Sequence, residues 1–297
     1  MKTKPKIIVV LGSTATGKSD LAVLLAKKFN GEVISADSRQ VYKGLDIGSG
    51  KITKKEMMGV THYLLDVVSP KKVFTVVDFQ QKAEKAISQI LTKGKVPIIA
   101  GGTGFYIQSI VDGITIPEVK ENKELRNKLE KQETAKLFET LKKLDSKRAK
   151  EIDQNNRVRI IRAIEIAKEL GKVPKVKKNP KYDVLQIGLN WSDEILKKRI
   201  YDRLISRMKK GMVAEARKLN KRGLSFKRME ELGLEYRYLA KFLKKEISRE
   251  EMIEKLNTEI WHYAKRQKTW FKRDTRIKWF KPSEVKKIGK VVEGFLI

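Results

Sequence analysis

Short apolar runs alternate along the first third of the chain with stretches in which apolar positions recur every three or four residues. Residues 6–11 form a β-branched run of strand length that ends in a glycine-rich loop. Apolar positions repeat at helical spacing over residues 21–29, and residues 32–36 read as a second strand closed by Asp37 and Ser38. Residues 63–67 give a third candidate strand. Val76, Phe79, Ala83, Ile87 and Ile90 lie three or four apart and predict a helix to about Lys93. Residues 96–100 are again strand-like and run directly into Gly101, Gly102, Thr103 and Gly104, with a helix predicted from Phe105. This alternation predicts an open, mostly parallel α/β sheet. Such sheets take ligands at the carboxyl ends of their strands. Gly12, Asp37 and Thr103 each fall just past a predicted strand, so they are expected to converge.

Beyond Ile114 the pattern changes. Residues 118–172 show only helical periodicity and many charges, and 172–181 form a basic, proline-containing linker. Strand character returns at 184–189. Helices are predicted over about 193–210, 211–222 and 249–273, the last opened by Ser248 and Glu251 at capping-box spacing. The expected organisation is a P-loop NTPase-like α/β core, residues 1–113 and 179–297, carrying an inserted all-helical domain over 114–178.

Composition narrows the chemistry. There is no cysteine, which excludes disulfides, thiolate catalysis and cysteine-held metal clusters, and His62 and His262 are too few for a dedicated transition-metal site. No window reaches the length and apolarity of a membrane span, and the apolar run after the basic start is too short for a signal peptide. A cytoplasmic location is expected, and nothing suggests coiled-coil pairing, so a monomer is expected. The 67 Lys and Arg against 36 acids give a net charge of +31. The partner is therefore expected to be a polyanion, although solvated lysine-rich helices account for part of the excess. The excess is densest over the last hundred residues, away from the glycine loop.

The strongest local signal is Gly12-Ser13-Thr14-Ala15-Thr16-Gly17-Lys18-Ser19, which fits the phosphate-loop pattern between a strand and a helix. Its glycines let backbone N–H groups turn inward, the helix start adds positive potential, Lys18 adds a charge, and the Ser19 hydroxyl suits Mg²⁺. The motif specifies a di- or triphosphate, not ATP. Asp37 suits a water-mediated contact to Mg²⁺, a general base, or simply a turn cap. Arg199, Arg203 and Arg207 repeat every four residues beside an apolar stripe. They read either as a solvated face or as a fork for phosphate oxygens. Arg157, Arg159 and Arg162 form a second basic group. Lys265, Arg266, Lys268, Lys272 and Arg273 form a third, interleaved with Trp261, Tyr263, Trp270 and Phe271. Cations among aromatics suit RNA, although the rings read as well as core.

Taken together these segments resemble the tRNA dimethylallyltransferase (isopentenyltransferase) family. The resemblance rests on the phosphate loop and on residues 35–48, with Asp37-Ser38-Arg39-Gln40-Val41-Tyr42 and Asp46-Ile47-Gly48. It extends through His62 to Asp66, residues 101–106, residues 156–165 and residues 265–270. It implies transfer of the dimethylallyl group from dimethylallyl diphosphate to N6 of the adenosine 3′-adjacent to the tRNA anticodon, with Mg²⁺. By resemblance Gly12 and Thr14, Ala15, Thr16, Gly17, Lys18 and Ser19 hold the diphosphate, with Ser19 on Mg²⁺. Asp37 takes the N6 proton, and Thr103 and Arg203 steady the leaving group. The resemblance places tRNA contacts at Asp37, Ser38, Arg39, Gln40, Thr103, Arg126, Val158, Arg159, Ile160, Ile161, Arg162, Tyr236 and Arg237, and has the helical insert embrace the anticodon stem-loop. Two departures stand out: Ser13 where the family usually has proline, and Glu235 where it commonly has glycine, which leaves the RNA contact there open. Two other classes fit parts of the pattern: a P-loop kinase or free-adenylate prenyltransferase, and an ATP-driven RNA-binding protein.

Overall fold

The computed structural model describes residues 4–297. The first compact unit takes in the chain up to Gly113 and resumes at Pro180. Its first half carries β1 (Lys6–Gly12), α1 (Lys18–Lys28), β2 (Gly31–Ala36), α2 (Lys54–Met57), β3 (His62–Tyr63), α3 (Val76–Thr92), β4 (Val96–Gly101) and α4 (Gly104–Val111). The second unit, Ile114–Asn179, holds four helices: α5 (Lys123–Leu129), α6 (Thr134–Leu144), α7 (Ser146–Glu151) and α8 (Arg157–Leu170). The first unit then continues with β5 (Asp183–Leu189), α9 (Asp193–Lys209), α10 (Met212–Lys221), α11 (Phe226–Leu232), α12 (Leu234–Leu243), α13 (Arg249–Phe271), β6 (Lys278–Phe280) and α14 (Val285–Leu296).

All six strands are parallel, in the order β3-β2-β4-β1-β5-β6. Their apolar residues sort by parity. Ile7, Val9 and Leu11 face a core with Phe79, Ile87 and Tyr106, whereas Ile8 and Val10 face Leu21, Leu25 and Ile288. Burial on both faces is what a covered parallel sheet requires. Phe79 is fully buried and stacks on Tyr106 with centroids 4.2 Å apart. A buried ring of this kind stabilises by about 2–3 kcal/mol. A third core lies among α9 to α13 around Leu204, Met229, Tyr236 and Leu256, joined by Val41, Tyr42 and Leu45 from the segment after β2. The second unit has its own small core of Leu129, Leu137, Leu141, Ile160 and Ile164. No helix among the described residues is long and apolar enough to cross a membrane.

The strand expected over 63–67 is cut to His62–Tyr63. Leu64 and Asp66 take positive φ values of 62° and 56°, which a strand does not accommodate, and Asp66 turns out to pair with Lys51 at 2.5 Å. Sequence periodicity gives no sign of β6, a three-residue strand with one buried side chain, Phe280.

Candidate functional site

Strand order decides which loops meet. β4 lies between β1 and β2, and Gly101 pairs in register with both Leu11 and Ala36. The phosphate loop after β1, the Asp37 turn after β2 and the Gly102-Thr103 loop after β4 therefore leave adjacent strands at one level. Gly101 is fixed by this crowding, since a Cβ there would lie 2.2 Å from the Ala36 carbonyl oxygen. These loops and α9 enclose a cleft of about 420 Å³ lined by Thr14 to Asp20, Asp37, Gln40, Gly50, Gly102, Arg203, Tyr263 and Gln267 among others.

The floor is built for an anion. Gly17, at φ 91°, begins α1 with no side-chain cap, so the first N–H groups of that helix lack intrahelical partners and face the cleft. Ala15 is held at φ 61°, and its carbonyl accepts from Arg199 Nε at 2.8 Å. Lys18 Nζ donates to the Ser13 carbonyl at 2.5 Å and has no carboxylate in ion-pair contact among the described residues. Burial, reinforced by the guanidinium of Arg203 and opposed by Asp37, lowers its pKa to about 7. Arg203 donates to Thr14 Oγ1 and to the Gly50 carbonyl, each at 3.3 Å, and likewise forms no ion pair among the described residues. Burial and neighbouring Arg207 lower its pKa to about 10. Two desolvated cations without counter-ions leave positive charge that a bound anion would offset. Arg207 differs: it pairs with Glu235 at 3.1 Å and donates to the Gly48 carbonyl at 3.2 Å.

Asp37 Oδ1 accepts from the backbone N–H groups of Arg39 at 2.8 Å and Gln40 at 3.3 Å, which caps the turn. Its other oxygen has no hydrogen-bond partner among the described residues, and Asp37 lines the cleft. The cap reading and the base reading are thus compatible, one oxygen for each. Gln40 accepts from Ser35 Oγ at 3.2 Å and donates to Gly50 at 3.3 Å. The donor set around Ser19, Asp20 and Asp37 is oxygen only, which fits a hard cation such as Mg²⁺ and no soft metal.

Several expected site residues sit elsewhere. Gly12 does not line the cleft; it shapes the loop from beneath, where a Cβ would lie 2.5 Å from the Leu189 carbonyl oxygen. Thr103 also lies behind the lining. Its Oγ1 accepts from the Ser38 N–H at 3.0 Å, which ties the β4 loop to the Asp37 turn. Ser38 and Arg39 are partly exposed, and Arg39 reaches back to the Ser38 carbonyl at 3.1 Å.

Tyr236, expected at RNA, is fully buried: its hydroxyl donates to Glu215 at 2.7 Å and its ring covers Gly48. Glu235, where the RNA contact was open, turns inward to Arg207, while Arg237 is exposed. In the second unit Ile160 and Ile161 belong to the core, because their helical face carries the apolar stripe. Arg126 is held by Glu165 through two bonds of 2.8 Å and by Glu121, and Arg162 pairs with the same Glu165. Val158, 77% exposed, and Arg159 remain on the surface.

Sequence reasoning missed Gln267. It accepts from the Thr14 N–H at 2.8 Å and donates to the Gly102 carbonyl at 2.9 Å, so one buried amide staples the first loop to the third. A signal was present: Ile260, Ala264, Gln267 and Phe271 follow a four-three-four spacing, and a lone amide in a buried stripe needs polar partners. Tyr263 was read with the aromatics and stands in the cleft, where burial and nearby Asp37 hold its hydroxyl protonated.

Against known proteins, the IPP transferase family model matches residues 40–274. The chain belongs to the IPP transferase family. A tRNA dimethylallyltransferase of Caldanaerobacter subterraneus subsp. tengcongensis is 42% identical over 287 residues, covering 93% of this chain and 91% of that protein. The solved tRNA delta(2)-isopentenylpyrophosphate transferase of Staphylococcus epidermidis aligns over 99% of both chains with TM-score 0.73 and 38% identity. A eukaryotic dimethylallyltransferase described as acting on tRNA aligns with TM-score 0.81 and 29% identity, over 93% of this chain and 74% of that one. As an IPP transferase the chain has an α/β core like theirs; the Gly102-Thr103 loop lies within the matched segment, and the phosphate loop and the Asp37 turn precede it.

Proposed function

We propose that this IPP transferase moves the dimethylallyl group from dimethylallyl diphosphate to N6 of the adenosine 3′-adjacent to the anticodon of tRNA. The observation that carries the reading is the meeting of opposite charges in one cleft. Lys18, Arg203 and the uncapped start of α1 line it together with Asp37, one of whose carboxylate oxygens has no hydrogen-bond partner among the described residues. In the reaction the N6 nitrogen forms a bond to the allylic carbon as that carbon's bond to oxygen breaks, and diphosphate departs with the electron pair. Charge gathers on the diphosphate, where Lys18, Arg203 and the backbone N–H groups stabilise it without reorganising. The displaced N6 proton passes to Asp37, which suits a weak aromatic amine nucleophile. Ser19 and the diphosphate oxygens would hold Mg²⁺, whose role is to neutralise the leaving group. The adenine must leave its stack to reach Asp37.

The test is incubation with Mg²⁺, dimethylallyl diphosphate and unmodified tRNA, followed by mass analysis of the nucleosides. N6-dimethylallyladenosine in the tRNA is expected. Prenylation of AMP without prenylation of tRNA, or hydrolysis of ATP with no prenyl transfer, would replace this reading with a free-nucleotide or an ATP-driven one.

A further inference from the structure

Phe105 is the second residue of α4, two after Thr103, and it is 43% exposed. A phenyl ring this exposed is a weak contributor to a core, yet it is not loose. It meets the indole of Trp270 edge-on, with centroids 6.4 Å apart and planes at 74°. Trp270 is itself pinned to the first turn of α4: a Cβ on Gly104 would lie 2.2 Å from the indole Cδ1. The Arg273 guanidinium lies 5.8 Å from the indole centroid, is exposed, and pairs with no carboxylate among the described residues. Lys272, next to it in sequence, and Arg266, two helical turns earlier, are exposed as well. α13 sends Gln267 into the cleft and, three residues on, lays Trp270 against Gly104 and Phe105 at the start of α4. The aromatic pair is therefore held in fixed register with the site.

We propose that Phe105, backed by Trp270 and Arg273, is a stacking ledge for an unpaired RNA base immediately flanking the extruded adenosine. This rests on the tRNA reading above and adds where the neighbouring nucleotide is held. Extrusion strips both flanking bases of a stacking face, and the covalent backbone brings them to the cleft mouth with the adenosine. A ring and a guanidinium plane offer a base the surface it has lost, and the unpaired cations offer its phosphates a counter-charge. A protein partner would not be tethered to the site in this way, nor would it require cations without acids.

The experiment uses the full chain and an anticodon stem-loop RNA, intact or with an abasic residue on the 5′ or the 3′ side of the target adenosine. Phe105→Ala removes a ring that is 43% exposed and otherwise packs edge-on against Trp270, and melting temperature checks the fold. Its dissociation constant for intact RNA is expected to rise about tenfold, a typical loss for one base–aromatic stack. The kcat and the KM for dimethylallyl diphosphate should stay within about twofold. Phe105→Trp should restore affinity. In wild type one of the two abasic RNAs should bind about tenfold more weakly, and Phe105→Ala should add nothing further with that RNA. Unchanged affinity of Phe105→Ala for intact RNA would overturn the ledge. So would full additivity of the variant with both abasic substitutions. Failure of wild type to prenylate the intact stem-loop would instead strike at the parent reading, while the binding measurements would still test the ledge.

Discussion

Asp37 uses its two oxygens for different purposes, and substitutions can separate them. Asp37→Asn keeps an acceptor for the Arg39 and Gln40 N–H groups but loses basicity. It should cut kcat by roughly 10²–10⁴-fold, the usual range for a lost general base, with tRNA affinity unchanged. If Asp37→Asn is nearly as active as wild type while Asp37→Ala is not, the residue only caps its turn. Lys18 sets a pH dependence. Its folded pKa of about 7 lies below the ordinary 10.5, so the free protein holds it increasingly neutral above pH 7, whereas a bound diphosphate favours the ammonium. Between about pH 7.5 and 9.5 the phosphate's own ionisation, near pH ~6, is complete. In that window affinity for the diphosphate should fall as pH rises, and Lys18→Arg should flatten the slope. A calorimetric titration showing no slope in wild type would refute this assignment. Residue identity alone did not separate these roles. Arg203 and Arg207 are the same residue four positions apart, and only Glu235 makes one an ion pair and leaves the other open.

At the scale of elements, the loop over residues 46–50 shows how helices outside the sheet set the cleft. Glu215 on α10 accepts from the N–H groups of Asp46, Ile47 and Gly48 at 3.0, 2.7 and 2.9 Å and from Tyr236 on α12. The opposite edge of the loop is held through the Gly48 and Gly50 carbonyls by Arg207 and Arg203. Gly50 is required twice over, by φ +60° and because a Cβ would lie 1.7 Å from Arg207 Nη2 and 2.3 Å from Arg203 Nη2. Gly50→Ala should therefore displace both guanidiniums and raise the KM for dimethylallyl diphosphate at least about tenfold, with RNA affinity nearly unchanged, as expected for lost uniform binding of one substrate. A variant with normal KM would mean that the loop is not what aims Arg203. The phosphate loop was legible in the sequence because its pattern is contiguous. The Glu215 clamp was not, because its partners are backbone atoms more than a hundred and sixty residues away.

For the molecule as a whole, the charge of +31 makes its prediction through salt. Each phosphate neutralised by a Lys or Arg contributes a slope of about −0.7 to −0.9 in log affinity against log salt concentration. tRNA affinity should thus fall steeply between about 50 and 200 mM salt, and binding of the small diphosphate much less. Equal salt slopes for the two ligands, measured by equilibrium binding, would count against a broad RNA-facing surface. Many of the cations are not available for such a surface. Lys51, Arg126, Arg162, Arg207 and Arg276 are committed to carboxylates within the fold, a distinction that counting charges cannot make.

The sequence by itself determined the α/β class, the phosphate loop and the helices with one apolar face, since each is encoded by neighbours or by a period along the chain. Tertiary structure decided the rest. Strand order placed β4 between β1 and β2, and so brought the carboxylate turn beside the anion floor. Packing on α12 turned Tyr236 and Glu235 inward and left Arg237 outside. The physical reason is common to both: hydrogen bonds and burial depend on which surfaces meet, and a one-dimensional pattern states only which surfaces seek cover.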